Sequence, residues 1–385
     1  MIPRRIESLI QLYLGYFTPD KRRALVVLGP RQVGKTTLME KLFPPSRTDV
    51  KWFNGEMTAT REQLAVLDPE NLKHALEGAT TIVIDEAQRI ESIGLVVKML
   101  VDKYPEIQIL VTGSSALELA SGLYESMTGR AWNFSMFPLS FEEMAAYSGF
   151  PEEKKFLPIR MQYGYYPQVV TGPGMEQKIL GNLSDGSLYK DILAYQQIRK
   201  PALVEKLLRA LALQVGNEVT YTEVGQLINS DPETVERYID LLEKAFVIFR
   251  LHSLSRNMRN EIKRSRKIYF YDLGIRNTLI QNFIPISLRA DTGALWENFC
   301  MVERMKTLEY HQKRVNPYFW RTHTQKEIDY IEEYDGKLHA YEFKWNPKAK
   351  TKNPKPFLEA YPGSEFKVIT PDNFHEFVML PDEKK

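Results

Sequence analysis

The sequence predicts an α/β protein that opens with a parallel-sheet domain, and three observations carry that reading. Short apolar runs suited to buried strands alternate with stretches of helical spacing between Ala24 and Val111. The first run, Ala24 to Leu28, leads into Gly29-x4-Gly34-Lys35-Thr36 and then into LMEKLF, which reads as helix. Another run, TIVIDE from Thr81 to Glu86, ends in two adjacent acids. An α-rich middle segment and a small α/β tail are expected to follow.

The strand ALVVL has no polar side chain to offer to water, as expected of a strand covered on both faces. Val50 to Phe53 reads as a second strand, Arg61 to Glu77 as helical stretches broken near Pro69, and Ser92 to Lys103 as a helix. Strand, glycine-bounded loop and helix in that order match the P-loop pattern. Gly29 and Gly34 are expected to let the backbone turn so that successive N–H groups face a phosphate chain, with the positive end of the following helix aimed at the same place. Gly29 to Thr37 is therefore expected to bind ATP with Mg²⁺. Lys35 would reach the β- and γ-phosphates, and the Thr36 hydroxyl would ligate the metal, with Thr37 beside it. Asp85 would hold the Mg²⁺ directly or through water, and Glu86 would orient or deprotonate the attacking water. The next strand, Ile107 to Val111, ends in Thr112, Gly113, Ser114 and Ser115, which would either sense the γ-phosphate or cap the following helix.

A length of 385 residues suggests two to three domains. The net charge of +2 selects no partner by bulk electrostatics, so any basic surface must be local. One cysteine, Cys300, excludes an internal disulfide framework and fits a reducing compartment. No apolar run approaches the ~18 residues of a membrane helix. The opening MIPRRIESLIQLYLGYF is interrupted by Glu7, Ser8 and Gln11, and reads as an amphipathic helix packed on the first domain rather than a signal peptide. A cytoplasmic location is expected.

Beyond the third strand come Thr128-Gly129-Arg130, the run FPLSFEEMAAY and the stretch YGYYPQVV from Tyr163 to Val170. These resemble a family of AAA-type ATPases of bacteria and archaea, in which a "GR" step, a "PLSF-E" motif and a "GG-P-V" element follow the third strand. Tyr165 departs from the second glycine of the last element. The resemblance implies an arginine donated to a neighbouring subunit's γ-phosphate, and hence a homo-oligomer. Arg130 is the first candidate and Arg89 the second, against a surface or packing role for either.

Met175 to Gln197 reads as mostly helical, suited to a lid over the nucleotide. In the middle segment, Leu203, Leu207, Leu208, Leu211 and Val215 mark one helix. A second starts at Thr222, and Asp231-Pro232-Glu233 opens a third with an N-cap and proline at the first position. Two strands, Phe246 to Leu251 and Lys267 to Tyr271, complete the pattern of a winged helix. Between them lie Arg256, Arg259, Lys263, Arg264 and Arg266 against the single acid Glu261, a basic wing for DNA phosphates. The third helix exposes Glu233, Glu236, Asp240 and Glu243, which phosphates would repel, so protein–protein packing is the competing use.

In the tail, a helix from Leu288 to Lys306 carries Glu297, and a short strand spans Tyr318 to Trp320. Asp335-Gly336 between alternating strands signals a hairpin in which Tyr334 faces Lys337 and Asp329 faces Glu342. Lys344 shares their face, while Ile328, Tyr330, Tyr341, Phe343 and Trp345 form the apolar one. This arrangement resembles the PD-(D/E)XK nuclease core, which the ATPase family above also carries as its tail. The resemblance implies Glu297, Asp329 and Glu342 as metal ligands and Lys344 as the residue that orients or activates the water. The competing readings are a charged solvent face and a nuclease-like fold kept only for binding. The expected organisation is an ATPase domain with helical lid over 1–198, a winged helix over 199–284 and a nuclease-like domain over 285–385. The expected activity is ATP hydrolysis coupled to action on DNA, with metal-dependent endonuclease chemistry in the tail. The alternative is an ATP-driven switch or DNA remodeller whose tail binds a partner without cleaving.

Overall fold

The structure, a computed structural model, describes residues 1–16, 23–65, 72, 74, 76–114, 128–188, 200–254, 266–322, 326–351 and 354–381. The break expected near Pro69, the end of the third strand at Ser115, the lid beyond 188 and the basic run Arg256 to Arg264 lie outside the described residues.

Helix α1 (Arg5–Gly15) precedes a five-stranded sheet of β1 (Ala24–Leu28), β2 (Val50–Asn54), β3 (Thr81–Asp85), β4 (Gln108–Gly113) and β5 (Ala131–Ser135). The order is β2-β3-β4-β1-β5 and every pairing is parallel. Alternation along β1 explains the layering. Leu25 and Val27 face Ile6 and Ile10 of α1 and Leu38 of α2 (Lys35–Leu42). Val26 and Leu28 face the other way, toward Leu64 of α3 (Thr58–Ala65) and Val96, Val97 and Leu100 of α4 (Ile93–Lys103). The amphipathic opening segment is thus a helix packed on this domain. Strand β5 has no counterpart in the sequence reading, because AWNFS has an edge strand's mixed burial and no long apolar run.

Helices α5 (Phe141–Ser148), α6 (Phe150–Tyr163), α7 (Pro167–Thr171) and α8 (Glu176–Leu183) follow. Ser140 and Glu143 form a reciprocal capping box at the start of α5. The middle segment supplies α9 (Pro201–Leu213), β6 (Glu218–Val219), α10 (Tyr221–Ile228) and α11 (Pro232–Lys244). Asp231 caps α11 as expected, accepting from the Thr234 N–H at 2.7 Å. Strands β7 (Ile248–Ser253) and β8 (Arg266–Phe270) pair antiparallel, and α12 (Leu273–Leu279) follows them. The tail contains α13 (Thr292–Tyr310), β9 (Asn316–Arg321), β10 (Glu327–Tyr334), β11 (Lys337–Phe343), α14 (Lys355–Ala360), β12 (Glu365–Ile369) and α15 (His375–Val378).

One sheet in the order β12-β11-β10-β9-β7-β8-β6 runs through the middle segment and the tail. The join is parallel, with His252 beside Tyr318 and Ser253 beside Phe319. It crosses the boundary expected at residue 284. The hairpin has the expected register from Tyr330 opposite Tyr341 to Tyr334 opposite Lys337. The ladder stops there, one residue short of the expected Asp329–Glu342 pairing, where Asp329 instead accepts from the Phe343 N–H. A bulge between Ile328 and Ile331 in the pairing with β9 bends β10 at that point. Both faces of the hairpin are covered. The bulge also splits the expected apolar face: Ile328 packs with Ile331, Ala340 and Phe357, whereas Tyr330 packs with Phe343 and Phe377. Glu332 is buried and held by both Nε and Nη2 of Arg304 at 2.7 and 2.8 Å. A buried pair broken from one side leaves an uncompensated charge. Arg304→Ala is therefore expected to cost about 3–5 kcal/mol in chemical denaturation, and Arg304→Met with Glu332→Leu much less. Equal losses in the two proteins would show that packing, not charge, dominates there.

Candidate functional site

The loop after β1 is shaped by two different glycine requirements. Gly34 sits at φ 97° as the residue before α2, a left-handed conformation that only glycine adopts freely. Gly29 is required by close approach instead: a Cβ there would stand 2.0 Å from the Met136 carbonyl oxygen. Lys35 is buried, and its ammonium donates to the Gly29 and Pro30 carbonyls, each at 2.8 Å. Its charge therefore rests on the loop where phosphates are expected. Thr36, one residue on, donates to Asp85 at 2.9 Å. Thr112 at the end of β4 donates to the other oxygen of the same carboxylate. The structure thus brings Lys35, Thr36 and Asp85 together, and it turns Thr112 toward the carboxylate.

Glu86 follows Asp85 at φ 51°. The turn is tight because Gly55 lies against it, where a Cβ would meet the Glu86 carbonyl oxygen at 2.4 Å. Gln88 fixes the acid. Its amide donates to Glu86 Oε2 at 2.6 Å, while its Oε1 accepts from the Ser114 N–H at 3.1 Å. Sequence reasoning passed over Gln88, although a polar residue two positions after paired acids is a readable signal. A hydroxyl and a carboxylate converging at a helix start suit a hard divalent cation, so the residues fit Mg²⁺. Beside the loop, a cavity of about 220 Å³ is lined by Ile2, Val33, Thr37, Leu38, Pro167 and Thr171, among others.

The two candidate arginines are set apart. Arg130 directly precedes β5, and its carbonyl accepts from the Ala24 N–H at the start of β1. The P-loop leaves the other end of β1, so the five residues of the strand, at about 3.3 Å each, separate Arg130 from its own chain's phosphate site. Its guanidinium pairs with Asp102 at 2.9 Å on the surface, a contact that water screens. Arg89 is exposed on the turn just after Glu86.

The tail residues gather around a cation that the sequence reading did not include. Lys267 of β8 is buried, with its ammonium 2.9 Å from Glu297, 2.8 Å from Glu327 and 3.9 Å from Asp329. Tyr269 donates to the same Glu297 oxygen at 2.6 Å. Asp329 also accepts from the Phe343 N–H at 2.9 Å, and Glu342, fully buried, pairs with Lys344 at 2.7 Å. The arrangement does not fit a divalent ion as it stands, because an ammonium lies among the acids. Among the described residues no three His, Cys, Asp or Glu side chains are grouped to hold a metal. Lys267 could have been suspected from a lysine inside a strand that is otherwise buried.

Electrostatics agree with that geometry. Burial opposes the charge of Lys267, yet Glu297, Tyr269, Asp329 and Glu327 hold its pKa well above the ordinary lysine value. Burial likewise opposes Lys344, and Glu342 raises it. Burial pushes Glu297 up to about 7 from 4.5, with Lys267 pulling it down and Asp329 adding to the rise. A carboxyl raised in the folded state binds its proton more tightly there than in the unfolded chain. Its contribution is complete below about pH 4.5 and is lost as the pH rises to about 7. Across that window wild type should lose stability relative to Glu297→Gln, with the gap constant above it. Parallel denaturation midpoints for the two proteins from pH 4.5 to 7.5 would remove Glu297 as the titrating group.

Residues 21–145 match the family model described as an AAA domain, and residues 155–285 and 292–379 each match a domain of unknown function. An uncharacterized protein of Mycobacterium tuberculosis is 29% identical over 332 residues, covering 84% of this chain and 70% of that one. One from Methanocaldococcus jannaschii is 23% identical over 303 residues, covering 72% and 65%. Among solved structures, the Thermotoga maritima RuvB Holliday junction branch migration motor aligns at a TM-score of 0.33 and 15% identity, over 63% of this chain and 89% of that one. Cdc6p from Pyrobaculum aerophilum aligns at 0.30 and 13%, over 73% and 94%. Among the described residues no helix is long and apolar enough to cross a membrane. The segment 21–145, with its parallel sheet and P-loop, is thus the part of the chain that matches the AAA domain.

Proposed function

We propose that this chain binds ATP with Mg²⁺ and hydrolyses it, and that the nucleotide state acts on the middle segment and tail. The observation that carries this reading is the Thr36 hydroxyl 2.9 Å from Asp85, one residue after a lysine whose charge rests on the loop itself. Lys35 would exchange the Gly29 and Pro30 carbonyls for the β- and γ-phosphates. Thr36 and Asp85 would hold Mg²⁺, and the metal would bridge and neutralise phosphate charge. Glu86, held by Gln88, would orient the attacking water. The cavity beside Val33 and Thr37 would take the nucleoside.

DNA is the proposed partner, with the three helices and antiparallel ribbon of the middle segment read as a winged helix and the tail as a nuclease-like fold. Arg130, out of reach of its own phosphate site, is read as serving a neighbouring copy in a homo-oligomer. For the tail, Lys267 among Glu297, Glu327 and Asp329 favours the non-cleaving alternative, a tail that binds its partner without hydrolysing it. The nuclease reading would need Glu297, Asp329 and Glu342 to release their ammonium partners before any metal came to them.

Two measurements test these readings. Lys35→Ala is expected to lose nucleotide binding, and Glu86→Gln to bind ATP while releasing almost no phosphate; turnover like wild type in both would sink the assignment. Supercoiled plasmid incubated with the full chain, Mg²⁺ or Mn²⁺, with and without ATP, is expected to stay intact. Nicking that Asp329→Ala abolishes would restore the nuclease reading.

A further inference from the structure

Arg4 stands at the start of α1, far in sequence from the P-loop, yet its guanidinium touches the loop directly. Nη1 donates to the Val33 carbonyl at 2.6 Å, Nη2 to the Phe137 carbonyl at 2.7 Å, and Nε to Glu143 at 3.0 Å. The side chain is buried, so these contacts are shielded from water. Glu143 is itself fixed: it accepts from the Arg5 N–H at 2.8 Å and from the Ser140 N–H at 2.9 Å. Burial works against the charge of Arg4, and Glu143 raises its pKa above the ordinary value, so the guanidinium stays charged.

The consequence follows from the planarity of the peptide bond. Val33 and Gly34 share a trans peptide, in which C=O and N–H point in opposite directions. A carbonyl anchored outward on Arg4 therefore turns the Gly34 N–H the other way, into the loop's interior. Gly34 is the last residue before Lys35, and because it is a glycine, at φ 97°, sterics alone restrict the orientation of the Val33–Gly34 peptide less than they would at another residue. A lysine could not replace the arginine, because its single ammonium lacks the flat fork that spans Val33, Phe137 and Glu143 at once.

We infer that Arg4 is a positioning residue of the phosphate cradle, orienting the Val33–Gly34 peptide and tying the P-loop to the segment 136–143. The inference rests on the ATPase reading above. It assigns Arg4 to ground-state binding of the phosphates, since a backbone donor aimed into the cradle holds substrate and transition state alike. Loss of one such donor should raise KM and leave kcat nearly unchanged.

The test compares wild type, Arg4→Lys and the double variant Arg4→Met with Glu143→Gln, which leaves no buried charge behind. KM, kcat, direct binding of a fluorescent ATP analogue and thermal unfolding without nucleotide are measured on the full chain. Both variants are expected to bind the analogue about ten-fold more weakly and to show a matching rise in KM, with kcat within about two-fold. Arg4→Lys keeps a cation for Glu143 and is expected to melt below wild type but to remain fully folded at the assay temperature, which separates the effect from a folding defect. Wild-type affinity in Arg4→Lys overturns the role of Arg4, as does a loss confined to kcat. Wild-type protein that binds no nucleotide overturns the ATPase reading and this inference with it.

Discussion

A charge taken out of water has to meet its opposite, and in this chain that demand ties distant segments to one another. Arg4 meets Glu143, Lys267 meets Glu297 and Glu327, and Arg304 meets Glu332. Each pair has at least one member almost wholly buried. Such pairs add little net stability over an apolar core, but breaking one from a single side is costly. They therefore specify which surfaces pack together. The apolar clusters alone would tolerate sliding of one element against another, whereas a bidentate Arg304–Glu332 pair fixes the position of α13 on β10.

The segment 136–143 shows how far this reaches. Its Met136 carbonyl lies so close to Gly29 that no side chain fits there, and its Phe137 carbonyl and Glu143 hold Arg4. On the other side it is bound to α13. The Phe137 N–H donates to the Tyr310 oxygen at 3.2 Å, the Phe141 N–H to Glu303 at 2.6 Å, and Lys306 to the Leu139 carbonyl at 2.9 Å. The stretch that the sequence shows only as FPLSFEE is thus a bracket between the P-loop and the longest helix of the tail.

What the sequence made legible was local. Lys35 and Thr36 were readable because a P-loop is a contiguous run whose flanks declare a strand and a helix, and Asp85 because it ends a second short apolar run. The register from Tyr334 and Lys337 back to Tyr330 and Tyr341 followed from the two-residue turn at Asp335-Gly336, since period-two geometry propagates register until a bulge interrupts it. Lys267, Arg4 and the join of β7 to β9 were not readable, because each depends on two segments meeting that no local periodicity relates. The same limit explains why the acids of the hairpin read as one open face. Nothing within EIDYIEEYDGKLHAYEFKW announces that a lysine from β8 will lie among them.

Helix α13 joins both regions in one rigid element. Its C-terminal half carries Glu303, Lys306 and Tyr310 to the bracket beside the P-loop, and its N-terminal half carries Glu297 to Lys267. Between Glu297 and Tyr310 the rise of about 1.5 Å per residue amounts to roughly 20 Å. A helix flanked by buried ion pairs at both ends does not bend readily to absorb a displacement. Segment 136–143 and the Lys267 cluster are thus attached to the same helix, one toward each end. The cluster is held by the middle segment and the tail together, so its geometry depends on their alignment rather than on either one alone.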